Sequence, residues 1–272
     1  MAKGKERLDS LLVRRGLAPS REKAKTSIMA GLVFVDGQRA DKPGQEVAGE
    51  ARVEVRGETI PFVSRGGLKL AKAVQAFGLS FVGRVLADIG ASTGGFTDCA
   101  LQNGAERVYA IDVGYGQLAW RLRTDPRVVT MERVNARYLE ESALPEKVDW
   151  IVTDVSFISL RKIFPAMRRI LKPAGEVIAL IKPQFEAGRQ YVGKHGVVRE
   201  PEVQERVIAE VVADALELGF CLKGLDYSPI RGPEGNVEYL MWLGNGPSPE
   251  PDREEIARVV REAQKGTNRH GQ

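Results

Sequence analysis

The chain has 272 residues, enough for one large and one small domain, and its 43% hydrophobic and 28% charged residues are typical of a globular protein in water. Its two cysteines, Cys99 and Cys221, lie far apart without metal-ligand spacing, so we expect no disulfide, no metal site and a reducing, cytoplasmic location. No apolar run approaches the roughly 18 residues of a membrane span, and the charged start is unlike a signal peptide, so we expect no membrane partner.

The net charge of +4 is concentrated at the start of the chain. Residues 1–65 contain 13 Lys and Arg against 9 Asp and Glu, whereas residues 66–272 contain 27 of each kind. A localised basic patch favours a polyanion partner, most simply a nucleic acid. A solvated helix face is an equally open explanation of the charge alone.

The first 56 residues are predicted to form a small α+β domain. Three leucines recur at helical spacing between residues 6 and 15, and a glycine follows as the C-cap residue. Ser20 is a suitable N-cap for a second helix. Alternating residues predict short strands at 32–35 and 51–55, and the Asp-Gly pair after the first predicts a turn.

The stretches RLDSLL from Arg7, Ser20-Arg21 with Ala24, and GLVFVDG from Gly31 resemble the small RNA-binding fold named after ribosomal small-subunit protein four. The resemblance implies that the basic face of the two helices meets structured RNA. Such contacts involve phosphates and shape more than base edges. The residues predicted to bind RNA are Arg7, Arg14, Arg15, Arg21, Lys25 and Arg65, the last being as readily explained by solvation.

Residues 57–63 form a connector, and residues 64–245 alternate strands and helices as a doubly wound sheet does. The predicted strands lie near 85–89, 107–111, 128–131, 149–153, 176–181, 221–227 and 237–243. The predicted helices lie near 66–77, 95–103, 115–122, 159–171 and 201–218. The last two strands flank a turn-rich loop and are expected to pair antiparallel, so we predict a seven-stranded Rossmann-like sheet of the methyltransferase type. In the charged tail, 246–272, an exposed helix is predicted at 252–264 and mobility elsewhere.

A glycine-rich loop and an acid predict a nucleoside-containing cofactor. The apolar run from Val85 breaks into GASTGG at Gly90, and the next apolar run ends in Asp112, 22 residues later. Glycines allow close backbone approach, and the acid can accept both ribose hydroxyl groups. The loop differs from the dinucleotide pattern and lacks a phosphate-binding lysine, which favours S-adenosylmethionine over a nicotinamide or a nucleoside triphosphate. The predicted cofactor-binding residues are Asp88, Gly90, Ala91, Ser92, Thr93, Gly94, Gly95, Phe96, Asp112 and Asn135.

Several of these assignments have a structural alternative of similar weight. Asp88 either holds the methionine amine or braces the loop. Asn135 either approaches the adenine or lies in an ordinary surface loop. Phe96 and Phe157 are weaker candidates for lining the cofactor or substrate site, since core packing is the favoured explanation for each.

Four charged residues occur where a buried sheet would not tolerate an unpaired charge: Lys69, Asp154, Lys182 and Glu238. Asp154 and Lys182 directly follow apolar strands, at the carboxyl ends where open α/β sheets bind ligands. Two lysines and two carboxylates that converge there could satisfy one another. A salt-bridge network that only closes the rim of the sheet is the structural alternative.

The order Lys-Asp-Lys-Glu resembles the tetrad of ribose 2′-O-methyltransferases of the FtsJ type. With the N-terminal domain, the chain is similar to the TlyA family, which also carries a haemolysin name. The most specific stretches are SRGGLK from Ser64, ADIGASTGGFTD from Ala87, TDVSFIS from Thr153, IKPQFE from Ile181 and GNVE from Gly235. The resemblance implies S-adenosylmethionine-dependent methylation of cytidine ribose in ribosomal RNA, with large and, in some members, small ribosomal subunits as partners.

Methyl transfer to a ribose hydroxyl requires that the hydroxyl proton leave as the bond forms. We predict Lys182 as the base, since burial and the ammonium of Lys69 would favour its neutral form. Asp154 would orient Lys182 and face the sulfonium, and Glu238 would position Lys69 and the sugar. No metal is needed for this chemistry.

Two other classes of function compete with this one. A non-catalytic RNA-binding or ribosome-assembly factor would not need the tetrad and the glycine loop. A pore-forming haemolysin would need a membrane-inserting pattern, which the sequence does not show. The sequence indicates no oligomeric state.

Overall fold

The computed structural model describes residues 4–29, 31–56, 60–232, 234–249 and 251–266, which form two compact units, 1–65 and 66–272. Part of the predicted connector, 57–59, and the end of the predicted mobile tail, 267–272, lie outside the described residues. Among the described helices, none combines the length and the apolar character that a membrane crossing requires.

The first unit is built from two helices and two small antiparallel sheets, in which β1 pairs with β4 and β2 lies between β3 and β5. The elements are β1 (Lys5–Arg7), α1 (Leu8–Arg14), α2 (Arg21–Met29), β2 (Val33–Val35), β3 (Gln38–Arg39), β4 (Glu46–Ala48) and β5 (Val53–Val55). The three leucines of α1 are fully buried against Ala24, Ile28 and Val33. The Ser20 hydroxyl accepts a hydrogen bond from the Lys23 amide, which confirms the predicted N-cap. The three-residue strands β1 and β4 are too short to leave an alternating pattern in the sequence.

The second unit is a seven-stranded sheet with flanking helices, in the order β11-β12-β10-β9-β6-β7-β8. Its strands are β6 (Val85–Ile89), β7 (Arg107–Asp112), β8 (Val128–Glu132), β9 (Val148–Thr153), β10 (Leu171–Ile181), β11 (Phe220–Tyr227) and β12 (Tyr239–Asn245). Its α-helices are α3 (Gly66–Phe77), α4 (Gly95–Gln102), α5 (Trp120–Arg123), α6 (Phe164–Ile170), α7 (Pro183–Glu186), α8 (Pro201–Glu217) and α9 (Arg253–Gly266). Strand β12 runs antiparallel to β10 and β11, and the other neighbours are parallel. The predicted α/β fold class is confirmed.

Three predicted helices differ from the structure. The helix expected at 159–171 is a 3₁₀ turn at Leu160–Lys162 followed by α6 at Phe164–Ile170, and Leu171 already belongs to β10. The helix expected at 115–122 is reduced to the single turn of α5, because the chain before it forms an irregular segment. The helix expected at 252–264 forms as α9, but its expected exposure is wrong. Residues 256, 259, 260 and 263 are buried, since they follow the i, i+3, i+4, i+7 spacing of an apolar stripe.

Candidate active site

The topology brings the four predicted charged residues to one edge of the sheet. Asp154 directly follows β9 and Lys182 directly follows β10, so both lie at the carboxyl ends of neighbouring parallel strands. Glu238 directly precedes β12, which runs antiparallel and therefore begins at the same edge. Lys69 lies in the first turn of α3.

The side chains form one continuous chain of ion pairs. Lys69 Nζ lies 2.6 Å from Glu238 Oε2 and 2.9 Å from Asp154 Oδ2. The other oxygen of Asp154, Oδ1, lies 2.6 Å from Lys182 Nζ. Asp154 thus bridges the two lysines, and each carboxylate has a cation.

These charges are removed from water. Lys69, Lys182 and Glu238 are 8%, 7% and 1% exposed. Burial alone would lower the pKa of Lys69, but its ion pairs with Asp154 and Glu238 hold that pKa above its ordinary value. Burial would likewise raise the pKa of Asp154, but the two lysines hold it below its ordinary value. Lys69 and Asp154 are therefore both charged around neutral pH.

A cleft of about 480 Å³ adjoins Asp154 at this edge. Its size suits a small organic ligand. Of the predicted cofactor-binding residues, it is lined by Gly90, Ser92, Asp112 and Asn135. The walls also contain apolar side chains, among them Ile111, Val113, Val134 and Ile158, and the polar residues Gln117, Arg137 and Ser156.

The glycine loop is fixed by its own hydrogen bonds. The amides of Gly90 and Ala91 donate to Ile111 O, and the amide of Gly94 donates to Ala91 O. The Ser92 amide donates to Asp112 Oδ2 at 2.8 Å, and Gly114 N donates to the other oxygen at 2.7 Å. A phosphate cradle would instead aim such amides at its anion. The amides of Gly90, Ala91, Ser92 and Gly94 are therefore committed to hydrogen bonds within the fold.

The other predicted cofactor-binding residues do not line the cleft. Ala91, Gly94, Gly95 and Phe96 are buried, and Thr93 is half-buried. Gly94 has a φ of +95°, and a Cβ there would collide with Leu118 and Leu122, so this glycine serves the packing of α5.

Asp88 acts as a brace between β6 and α4. It is fully buried, and its Oδ2 accepts hydrogen bonds from the Thr97 amide at 2.9 Å and the Thr97 hydroxyl at 2.6 Å. Burial raises the pKa of Asp88 to about 7. The bracing role is thus visible in the structure, and contact with a cofactor amine stays a prediction.

Some residues of the site left no clear signal in the sequence. Ser156 Oγ accepts a hydrogen bond from Lys182 Nζ at 2.9 Å. Phe157 is 92% exposed beside the cleft and contacts Phe185, so the expectation that it packs in the core is wrong. Its φ of +64° is uncommon for a residue other than glycine. Glu186 holds the same segment, since it accepts from the Ser159 hydroxyl at 2.6 Å and the Leu160 amide at 2.8 Å.

Gly232 was also missed. A Cβ on Gly232 would lie 2.9 Å from Glu238 Oε1, so a larger residue in this turn-rich loop would displace the carboxylate that pairs with Lys69. Only its place among the turn residues near Gly235 hints at this in the sequence.

Most cations predicted to bind RNA have partners within the first unit. Arg7 and Arg21 pair with Asp9, and Arg14 pairs with Glu6. Arg15 donates to the carbonyls of Ala51 at 2.7 Å and Gly49 at 2.8 Å. Lys25 is exposed and Arg65 is half-buried.

Comparisons with known proteins agree with this division into two parts. A model of the FtsJ-like methyltransferase family matches residues 62–245, and a model of the S4 domain matches residues 6–53. The chain is 52% identical to YqxC of Bacillus subtilis over 97% of this chain and 96% of that protein. It is 48% identical to the 16S/23S rRNA (cytidine-2'-O)-methyltransferase TlyA of Mycobacterium tuberculosis, over 87% of this chain and 89% of that one. The solved structure of a Streptococcus thermophilus protein that carries a hemolysin name superposes with a TM-score of 0.79 at 48% identity, over 99% of both chains.

Proposed function

Since the chain belongs to the FtsJ-like methyltransferase family and, with its S4 domain, to the TlyA branch, we propose that it transfers a methyl group from S-adenosylmethionine to the 2′-hydroxyl of cytidine in ribosomal RNA. The observation that carries the proposal is the buried chain Glu238–Lys69–Asp154–Lys182 beside the cleft. A rim brace alone would not need two desolvated lysines next to a ligand-sized cavity.

The cleft fits the proposed cofactor. The Asp112 carboxylate lines it, and each of its oxygens keeps a lone pair for a ribose hydroxyl after accepting one backbone amide. Asn135 and the apolar walls would receive the adenine, and Ser92 and Gly90 would flank the remainder. When bound, S-adenosylmethionine supplies an electrophilic methyl group on a positive sulfonium.

In its neutral form, Lys182 accepts the proton of the 2′-hydroxyl as the oxygen–carbon bond forms. Asp154 then stabilises the ammonium that Lys182 becomes, from 2.6 Å. Ser156 fixes the lysine from a second direction. Lys69 holds Asp154 in place, and Glu238 holds Lys69. The chain's own contribution is therefore a positioned base with a stabilised conjugate acid.

The first unit would supply affinity for ribosomal RNA through its basic helices. The name of the M. tuberculosis relative gives both 16S and 23S RNA. We propose large-subunit RNA as the substrate here and small-subunit RNA as a second one, within ribosomal subunits in the cytoplasm.

Mapping of 2′-O-methyl groups on ribosomal RNA, with and without the purified protein and S-adenosylmethionine, tests this function. We expect a cytidine methylation that requires the protein and disappears in the Lys182→Ala variant. Binding of ribosomal RNA without any methylation would instead identify a non-catalytic binding factor.

Calorimetry with S-adenosylmethionine and with NAD tests the proposed cofactor separately, and tight NAD binding would contradict S-adenosylmethionine as the cofactor.

A further inference from the structure

A buried acid lies beneath the basic surface of the first unit. Asp9, in the first turn of α1, has a fully buried side chain, whereas its partners Arg7 and Arg21 are 49% and 55% exposed. Arg7 donates to Asp9 Oδ1 from Nε at 3.1 Å and to Oδ2 from Nη2 at 2.9 Å, which is a bidentate contact. Arg21, from α2, donates to Oδ2 from Nη2 at 3.2 Å. One carboxylate thus fixes two guanidinium groups from different elements.

Gly44, in the loop before β4, lies beside the guanidinium of Arg7. A Cβ on Gly44 would lie 3.1 Å from Arg7 Nη1, so the loop before β4 approaches this group closely. Arg7 donates to Asp9 from Nε and Nη2, and Arg21 donates to Asp9 only from Nη2. Asp9 therefore leaves further N–H groups of both half-exposed arginines unused.

We propose that Asp9 is a positioning residue for RNA binding, which fixes Arg7 and Arg21 as a preformed pair that receives RNA backbone phosphates. This rests on the proposed function, since it assumes a ribosomal RNA substrate. Holding long side chains in place before binding removes part of the ordering cost that binding must otherwise meet. A guanidinium fork also matches phosphate geometry, which a freely rotating cation does not.

Positioning and simple electrostatics predict opposite effects of Asp9→Asn on the affinity for RNA. Asp9→Asn removes a negative charge from a basic surface, so charge alone predicts tighter binding to RNA. If Asp9 positions the arginines, Asp9→Asn should bind RNA about tenfold more weakly. The slope of log K against log salt concentration should also become shallower by up to roughly two, because two phosphate contacts are lost. The matched control is Glu22→Gln, which removes one charge from an exposed acid beside Arg21 on α2. We expect the control to bind as tightly as the wild type or slightly tighter.

The experiment measures binding of the full chain to purified large ribosomal subunits at several salt concentrations. The proposal is overturned if Asp9→Asn binds as tightly as the wild type, or if it binds more weakly with an unchanged salt slope. Because loss of a buried acid can unfold the unit, Arg7→Lys is the second variant: it keeps the charge and Asp9 but cannot form the fork. We expect it to bind more weakly than the wild type, and wild-type affinity overturns the proposal. Failure of the wild-type chain to bind or methylate ribosomal subunits would instead overturn the proposed function.

Discussion

The two ends of strand β9 each carry an aspartate with two cationic neighbours. Near the start of the strand, Asp149 pairs with Lys172 at 2.9 Å and with Arg84 at 3.8 Å. Just beyond the carboxyl end, Asp154 pairs with Lys69 and Lys182. The two carboxylates are almost equally exposed, at 18% and 17%. The cations differ sharply: the side chains of Lys172 and Arg84 are 40% and 56% exposed, against 10% for Lys69 and 8% for Lys182.

The contrast shows that pairing alone does not identify a functional site. Asp149 accepts the Val85 amide at 2.9 Å and leaves its cations in water, which is an ordinary way to tie strands together. At the other end two lysines are desolvated, which proteins tolerate only where the charges are paired, and this desolvation can cost more free energy than the pairing returns. Burial of the cations, with a cleft beside them, separates the candidate active site from the structural brace.

Substitution of Lys182 and of Lys172 should show the largest difference between the two ends of β9. We expect Lys182→Ala to lower the single-turnover methylation rate by about 10²–10⁴-fold, since the base is removed, with cofactor affinity near that of the wild type. Lys182→Arg should be equally inactive, because a guanidinium keeps its proton at any usable pH. Lys172→Ala, at the other end, should leave the rate unchanged. Substantial activity in folded Lys182→Ala would remove this residue from the mechanism.

Loss of the second buried lysine should appear as loss of stability as well as of rate. Lys69→Met leaves Glu238 buried without its cation, which we expect to lower the free energy of unfolding by roughly 3–5 kcal/mol. The double variant Lys69→Met/Glu238→Gln should recover part of this, because the uncompensated charge is gone. Arg84→Met should cost little, as its pair is exposed. Urea unfolding of the four proteins measures these differences, and equal losses in Lys69→Met and Arg84→Met would show that burial does not matter here.

The cofactor site can be tested independently of the tetrad. Asp112→Ala should weaken S-adenosylmethionine binding by on the order of 1–3 kcal/mol, through loss of the ribose acceptors and of the Ser92 contact. Asp125→Ala, an acid in the turn before β8 that pairs with Arg127, is the matched control and should bind normally. Calorimetry compares the variants. Wild-type affinity in folded Asp112→Ala would place the cofactor elsewhere.

The smallest expected effect concerns acid stability at the two ends of β9. The pKa values of Asp154 and Asp149 are both below their ordinary value, because neighbouring cations and, for Asp149, the Val85 amide outweigh the effect of burial. Each carboxylate therefore contributes stability that is present above about pH 4 and is lost as the pH falls through the lowered pKa. Asp154→Asn and Asp149→Asn should each flatten the acid side of the profile of unfolding free energy against pH. An unchanged profile in both would contradict these pKa directions.

Local pattern was sufficient for much of the scaffold and for the tetrad. Apolar runs marked all seven strands of the large sheet, and the rule that ligands bind beyond the carboxyl ends of parallel strands pointed to Asp154 and Lys182. The spacing from Gly90 to Asp112 marked the cleft for the same reason, since consecutive βα units place the loop and the acid on adjacent strands. These features depend on residues close together in the chain or on a general property of α/β sheets.

Folding in three dimensions decided which neighbours those residues have. The sequence did not show that Asp154 bridges both lysines, that Ser156 holds Lys182, or that Phe157 is exposed. It marked the arginines of the first unit as RNA contacts without showing that Asp9 lies beneath two of them. Such contacts join segments distant in the chain, and their geometry depends on sheet order, loop conformation and burial, none of which has a local periodic pattern. The chemical types were therefore set by sequence, and their pairing and solvation by the tertiary structure.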